Sequence, residues 1–66
     1  MDRIQATEAL QQGLKIKHIT FLDDEYLKIS TETGRVITED YFDMTDRFFN
    51  DIQFQKNWSI VQEHIF

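Results

Sequence analysis

The residues with the most chemical capacity lie close together: Lys17, His18, Phe21 and Tyr26 fall within ten residues of one another. A cation beside stackable rings suits an adenine nucleotide or a cyclic nucleotide, because the ring stacks on the base while the ammonium meets phosphate. The competing reading is a strand whose lysines point to water and whose Phe21 points to the core. His18 and His64 are the only imidazoles, and a lone strand histidine is more often a partly buried, hydrogen-bonded residue than a general base. A second group, Asp40, Asp43 and Asp46 with Phe48 and Phe49, sets carboxylates around aromatic anchors. That pattern suits a basic protein partner.

Nothing in the chain spells catalysis. There is no cysteine to act as a nucleophile, and the two glycines, Gly13 and Gly34, are too far apart for a phosphate loop. The run Asp23-Asp24-Glu25 lacks the alternating oxygens and turn glycine of a calcium loop. Without thiolates, and with two histidines, no structural zinc site is expected. The chain is expected to be non-enzymatic, with neither metal nor cofactor.

Charge narrows the partners. Residues 23–51 hold nine acids against three bases, so the negative charge of a chain that totals −5 is concentrated there. A net-negative protein repels a nucleic-acid backbone, so direct DNA or RNA binding is not expected. One small anion held by a few local donors is compatible with it. No apolar run reaches the ~18 residues of a membrane span, and no signal peptide opens the chain. A soluble, cytoplasmic protein is expected.

The elements that must position these residues follow from periodicity. Asp2 is an N-cap, helical spacing runs through Ile4, Ala6 or Thr7, Leu10 and Leu14, and Gly13 suits a left-handed cap. From Lys15 the period falls to two, with Ile16 and His18 on one face and Ile19 and Phe21 on the other. Asp23-Asp24 marks a turn. Glu25–Ser30 forms a strand with Leu27 and Ile29 opposite Tyr26, and Gly34 closes a hairpin into a strand over 35–37. Tyr41–Met44 reads as a short strand followed by a helical turn capped by Thr45; one helix over 40–53 is the alternative. Asn57–Gln62 is the closing strand. The expected fold is therefore α+β, a single domain over 1–66. An N-terminal helix packs on an antiparallel sheet of about four or five strands. Leu10, Leu14, Ile16, Leu27, Ile29, Val36, Phe42 and Trp58 should be buried.

The chain has 66 residues, nine of them aromatic, and no disulfide staple. A core of this size cannot easily enclose every ring. A homo-oligomer is expected, with Phe48-Phe49 and Ile65-Phe66 as interface residues.

Several short signals together resemble a family of small phage proteins. They are Ala9-Leu10-Gln11-Gln12-Gly13, Ile16-Lys17-His18, Phe21 eight positions after the glycine, Tyr26-Leu27, Thr33-Gly34-Arg35-Val36 and Asn57-Trp58-Ser59-Ile60-Val61. That family includes the Thoeris anti-defence sponges and anti-CRISPR candidates. The resemblance implies a compact α+β protomer and a non-enzymatic oligomer. It further implies a phage counter-defence role in the host cytoplasm, trapping a cyclic nucleotide signal between subunits. On that reading Lys17, His18, Phe21 and Tyr26 bind the ligand. The alternative is an acidic inhibitor that binds a host defence protein through Asp40, Asp43, Asp46, Phe48 and Phe49.

Overall fold

The computed structural model describes residues 1–62. Helix α1 spans Arg3–Gln11, followed by strands β1 (Ile16–His18), β2 (Leu27–Ile29) and β3 (Val36–Thr38). Helix α2 (Thr45–Asn50), a 3₁₀ turn (Ile52–Phe54) and strand β4 (Trp58–Ile60) complete the chain. The expected α+β layout, a helix on an antiparallel sheet, is the observed one. The spatial order of the four strands is β3-β2-β1-β4, all neighbours antiparallel. Three consecutive strands thus form a meander, and the fourth returns beside the first in Greek-key order. The returning connection carries α2 and the 3₁₀ turn over one face of the sheet.

Local chemistry explains where α1 starts and stops. The Asp2 carboxylate accepts from the Gln5 amide at 2.8 Å, and Gln5 Oε1 accepts from the Asp2 amide at 3.2 Å, a reciprocal cap of two otherwise unpaired donors. At the other end Gly13 takes φ +83°. Its N–H donates to Leu10 O, and Leu14 N–H donates to Ala9 O, which closes a Schellman turn. The turn leaves Leu14 exposed, against the expectation of a core position. The helix instead buries Ala6, Ala9 and Leu10, two of them small enough to let it lie close on the sheet.

The core joins those residues to Ile16, Leu27, Val36, Met44, Phe48, Phe54 and Trp58, with Ile29 packed against its edge. Phe42 is a second departure: it is 63% exposed. The reason is the start of α2. Tyr41, at φ +65°, turns the chain back along β3, where only a single bridge, Ile37 to Asp43, replaces the expected short strand. Helical geometry begins at Thr45, not at residue 40, so the inward position falls to Phe48. Thr45 does not cap α2, since its hydroxyl accepts from Val36 N–H at 2.9 Å. Asp43 instead accepts from Thr45 N–H at 2.9 Å.

The far end of α2 is closed from a distance. The Arg3 guanidinium donates to Phe48 O at 2.8 Å and also to Asp51 O, satisfying carbonyls at the helix C-terminus. Arg3 N–H donates to Gln55 O at 2.8 Å, so the first turn of α1 is bound to the returning connection. Met1 and Trp58 exchange backbone hydrogen bonds, which ties the start of the chain to the outer edge of β4. Among the described residues, no helix is long and apolar enough to cross a membrane.

Candidate functional site

Strand alternation divides the expected ligand residues between two sides of the sheet. Ile16 and His18 point into the core, while Lys17 points to the opposite face. Leu27 points into the core on β2, so Tyr26 and Lys28 share the side of Lys17. The register pairs Lys17 with Ser59 across β4, and Lys28 with Ile37 across β3.

His18 is 2% exposed and fully engaged. Its Nε2 lies 2.9 Å from Lys56 O, and its Nδ1 lies 2.8 Å from the Thr20 hydroxyl. A carbonyl can only accept, so Nε2 carries the proton and Nδ1 accepts from Thr20. The ring packs edge-on against Phe54 and Trp58, with centroids at 5.1 and 5.0 Å. His18 is thus a structural clamp between β1 and the segment before β4, with neither nitrogen left for a ligand.

Phe21 is half-buried and leans on Trp58 and Phe54, its centroid 5.7 and 6.1 Å from theirs. It forms a wall between two hollows. The larger, about 470 Å³, lies where β1 ends and β4 begins and is lined by Lys17, His18, Phe21, Asp23, Asn57 and Ser59, among others. The second, about 320 Å³, has Phe21, Tyr26, Glu39 and Phe42 in its lining. Lys17, His18 and Phe21 therefore meet at one cavity, and Tyr26 stands on the other side of Phe21. Asn57, which lines the first cavity, takes φ +73°, a backbone conformation that asparagine tolerates better than most residues.

The acidic group is also divided. Asp40, Asp43 and Asp46 are exposed, and Phe49 is partly so. Phe48, expected at a partner surface, is completely buried and has no surface to offer. Phe42 stands in its place beside the acids, at a position the sequence reading assigned to the core. Ile65-Phe66 lie outside the described residues.

Asp43 is held by Thr45 N–H and by Arg35, whose Nε lies 2.9 Å from its carboxylate. The Thr45 hydrogen bond first and the Arg35 hydrogen bond second lower its pKa to about 2, and the same pairing raises that of Arg35. A depressed carboxylate pKa stabilises the fold above the ordinary carboxylate range, and that contribution disappears as the pH falls through about 2. Asp43→Asn should therefore be less stable than the parent near pH 5, and the gap should close toward pH 2, as read by urea denaturation at each pH. Both groups are at the surface, so the effect should be small. An equal gap at both pH values would refute the assignment.

The expected sites leave out Lys15 and Lys28. Lys15 Nζ sits 4.8 Å over the Tyr26 ring and Lys28 Nζ 5.2 Å over that of Tyr41. The alternations Lys15-x-Lys17 and Tyr26-x-Lys28 put each pair on one side of its own segment, but which pairs meet depends on the Ile16–Leu27 register. Among the described residues, no group of three or more His, Asp or Glu side chains is placed to hold a metal ion. Comparison with family models, curated proteins and solved structures returned no match.

Proposed function

We propose that the protein is a non-enzymatic phage counter-defence protein that sequesters a cyclic nucleotide signal, working as a homo-oligomer. The observation that carries this reading is the cavity where β1 ends and β4 begins, in which Lys17 and Phe21 line the same space of about 470 Å³. That volume is within the range of small-molecule sites. Lys17 supplies charge for phosphate, Phe21 a ring edge or face for a base, and Asn57 and Ser59 polar groups for orientation. A second subunit would close the open side, and exposed Ile4, Ile19 and Ile52 are apolar surface available for such a contact. The family resemblance supports the same reading.

A panel of cyclic oligonucleotides and cyclic ADP-ribose isomers, titrated by calorimetry, tests it. Lys17→Ala should weaken binding and flatten its salt dependence. Phe21→Ala should remove stacking of roughly 1–3 kcal/mol with little change in salt dependence, and Phe21→Trp should keep or tighten binding. Wild-type affinity in both alanine variants would place the ligand elsewhere.

A second reading has its own observation. Asp40, Asp43 and Asp46 are exposed on a stretch that also exposes Phe42, a suitable surface for inhibiting a basic host defence protein. Counter-defence activity lost on joint replacement of the three acids by Asn, but kept in Phe21→Ala, would decide for the inhibitor.

A further inference from the structure

The second hollow, about 320 Å³, lies at the end of the sheet where β1 and β3 stop and β2 starts. The connections after β1 and after β3 contribute to its rim, and residues of α2 and the 3₁₀ turn close it on the side that buries the core. Strand β4 leaves the sheet at the opposite end, with Ile60 beside Ile16. The buried side chains of Met44 and Phe54 form the base. Small-molecule sites start at about 300 Å³, so the space suits one long side chain.

Phe42 stands at the rim and is 63% exposed, yet its backbone is fixed. Its N–H donates to the Thr38 hydroxyl at 3.1 Å, and its carbonyl accepts from Thr38 N–H at 2.9 Å. A ring already held in place loses little freedom when a partner arrives. Phe21, half-buried, supplies a second ring from the other connection. Tyr26 also lines the hollow, but its ring already carries the Lys15 ammonium at 4.8 Å.

Glu25 and Glu39 are the acids of the lining, and Arg47 is its base. Glu25 Oε1 accepts from Leu22 N–H at 2.7 Å, and Glu39 Oε1 accepts from Tyr26 N–H at 3.4 Å. Each bond orients a carboxylate and uses one of its two oxygens. Arg47 lies 3.8 Å from the Asp51 carboxylate, which offsets its charge. Two carboxylates beside phenylalanine rings attract a cation and repel a phosphate. A guanidinium suits the place better than an ammonium. It is planar and weakly hydrated, and it stacks on a ring while its edge pairs with carboxylates.

We propose that this hollow takes an arginine side chain of a basic partner protein, with the guanidinium against the Phe42 ring and paired with Glu25 and Glu39. The inference deepens the inhibitor reading and rests on it for the partner. Asp40, Asp43 and Asp46 do not line the hollow; they steer the partner, and the hollow anchors it.

The probes are three short peptides with blocked ends, with arginine, lysine or citrulline at the centre. Citrulline keeps the shape of arginine without its charge. Each is titrated into the full chain at low salt and followed by the NMR shifts of the protein amides. The arginine peptide should bind most tightly, with shifts centred on Glu25, Glu39 and Phe42. The citrulline peptide should bind about tenfold more weakly, the factor lost with a charge-assisted hydrogen bond. Glu25→Gln and Glu39→Gln keep an oxygen for the backbone amide and should each lower affinity about fivefold. Phe42→Leu replaces an exposed ring and should fold normally, as circular dichroism would check. It should lower affinity about threefold, the cation–π contribution at an exposed site. Arg47→Gln removes the like charge and should tighten binding. Lys17→Ala, which tests the nucleotide cavity, should not weaken it. The titration needs no defence protein, so it stays readable if the inhibitor reading fails. The three-acid test of that reading stays readable if the hollow fails. The proposal is overturned if the arginine peptide does not bind, if the lysine or citrulline peptide binds as tightly, if both glutamine variants bind arginine unchanged, or if Arg47→Gln weakens binding.

Discussion

Phe48→Ala is expected to destabilise the protein by about 3–5 kcal/mol, and Phe49→Ala by only about 1 kcal/mol. The two residues are adjacent and chemically identical, yet α2 turns them about 100° apart. Phe48 is fully buried, its centroid 5.2 Å from that of Trp58, at the point where α2 meets the core. Truncation there removes a whole ring from a packed site and leaves a cavity. Phe49 is 44% exposed and meets Phe48 edge-on, at 4.9 Å between centroids. Small domains are held by a margin of about 5–15 kcal/mol, so the first loss is a large part of the total and the second is minor. Urea denaturation midpoints would show it. A larger loss for Phe49 than for Phe48 would mean that the helix presents its other face to the sheet.

The contrast between those two residues shows what periodicity can and cannot tell. The caps of α1 were legible because they are local: Asp2, Gln5 and Gly13 act within one turn of their partners. The sides of β1 and β2 were also legible, since Lys17 must oppose Ile16, and Tyr26 must oppose Leu27, whatever surrounds them. The start of α2 was not. Either a strand or a helix fits the residues around Phe42, and the start at Thr45 depends on Val36 N–H donating to the Thr45 hydroxyl nine positions away. Once α2 begins there, Phe48 goes inward and Phe42 outward.

The candidate site divides for a related reason. Residues near in sequence were read as one group, but alternation sends His18 and Lys17 to opposite sides. They meet again only where β1 ends and the sheet gives out. Lys17 and Lys28 lie on two different strands, so their grouping needed the Ile16–Leu27 register. Pairing of that kind is set by the hairpin and the buried face together, and neither is contained in the spacing of the lysines alone.

His18→Phe should cost about 2–4 kcal/mol, although phenylalanine is apolar and close in shape to imidazole. The position is buried among Phe21, Phe54 and Trp58, so on burial alone the substitution would be favourable. The loss comes from the partners. The Lys56 carbonyl would no longer receive Nε2–H at 2.9 Å, and the Thr20 hydroxyl would lose its acceptor at 2.8 Å. Both bonds are part-buried, so each group left unpaired costs toward the lower end of about 1–3 kcal/mol. Lys56 lies 38 residues from His18 and immediately before Asn57, so the bond also fixes the entry into β4 and one wall of the cavity beside Phe21. Two readouts separate this clamp from a ligand contact. Thermal or urea unfolding should show the lost stability with no ligand present. Thr20→Val, which keeps the bond to Lys56, should lose only about 1 kcal/mol, less than His18→Phe. If His18→Phe matched the parent in stability but abolished ligand binding, His18 would be a ligand contact and the clamp would be wrong.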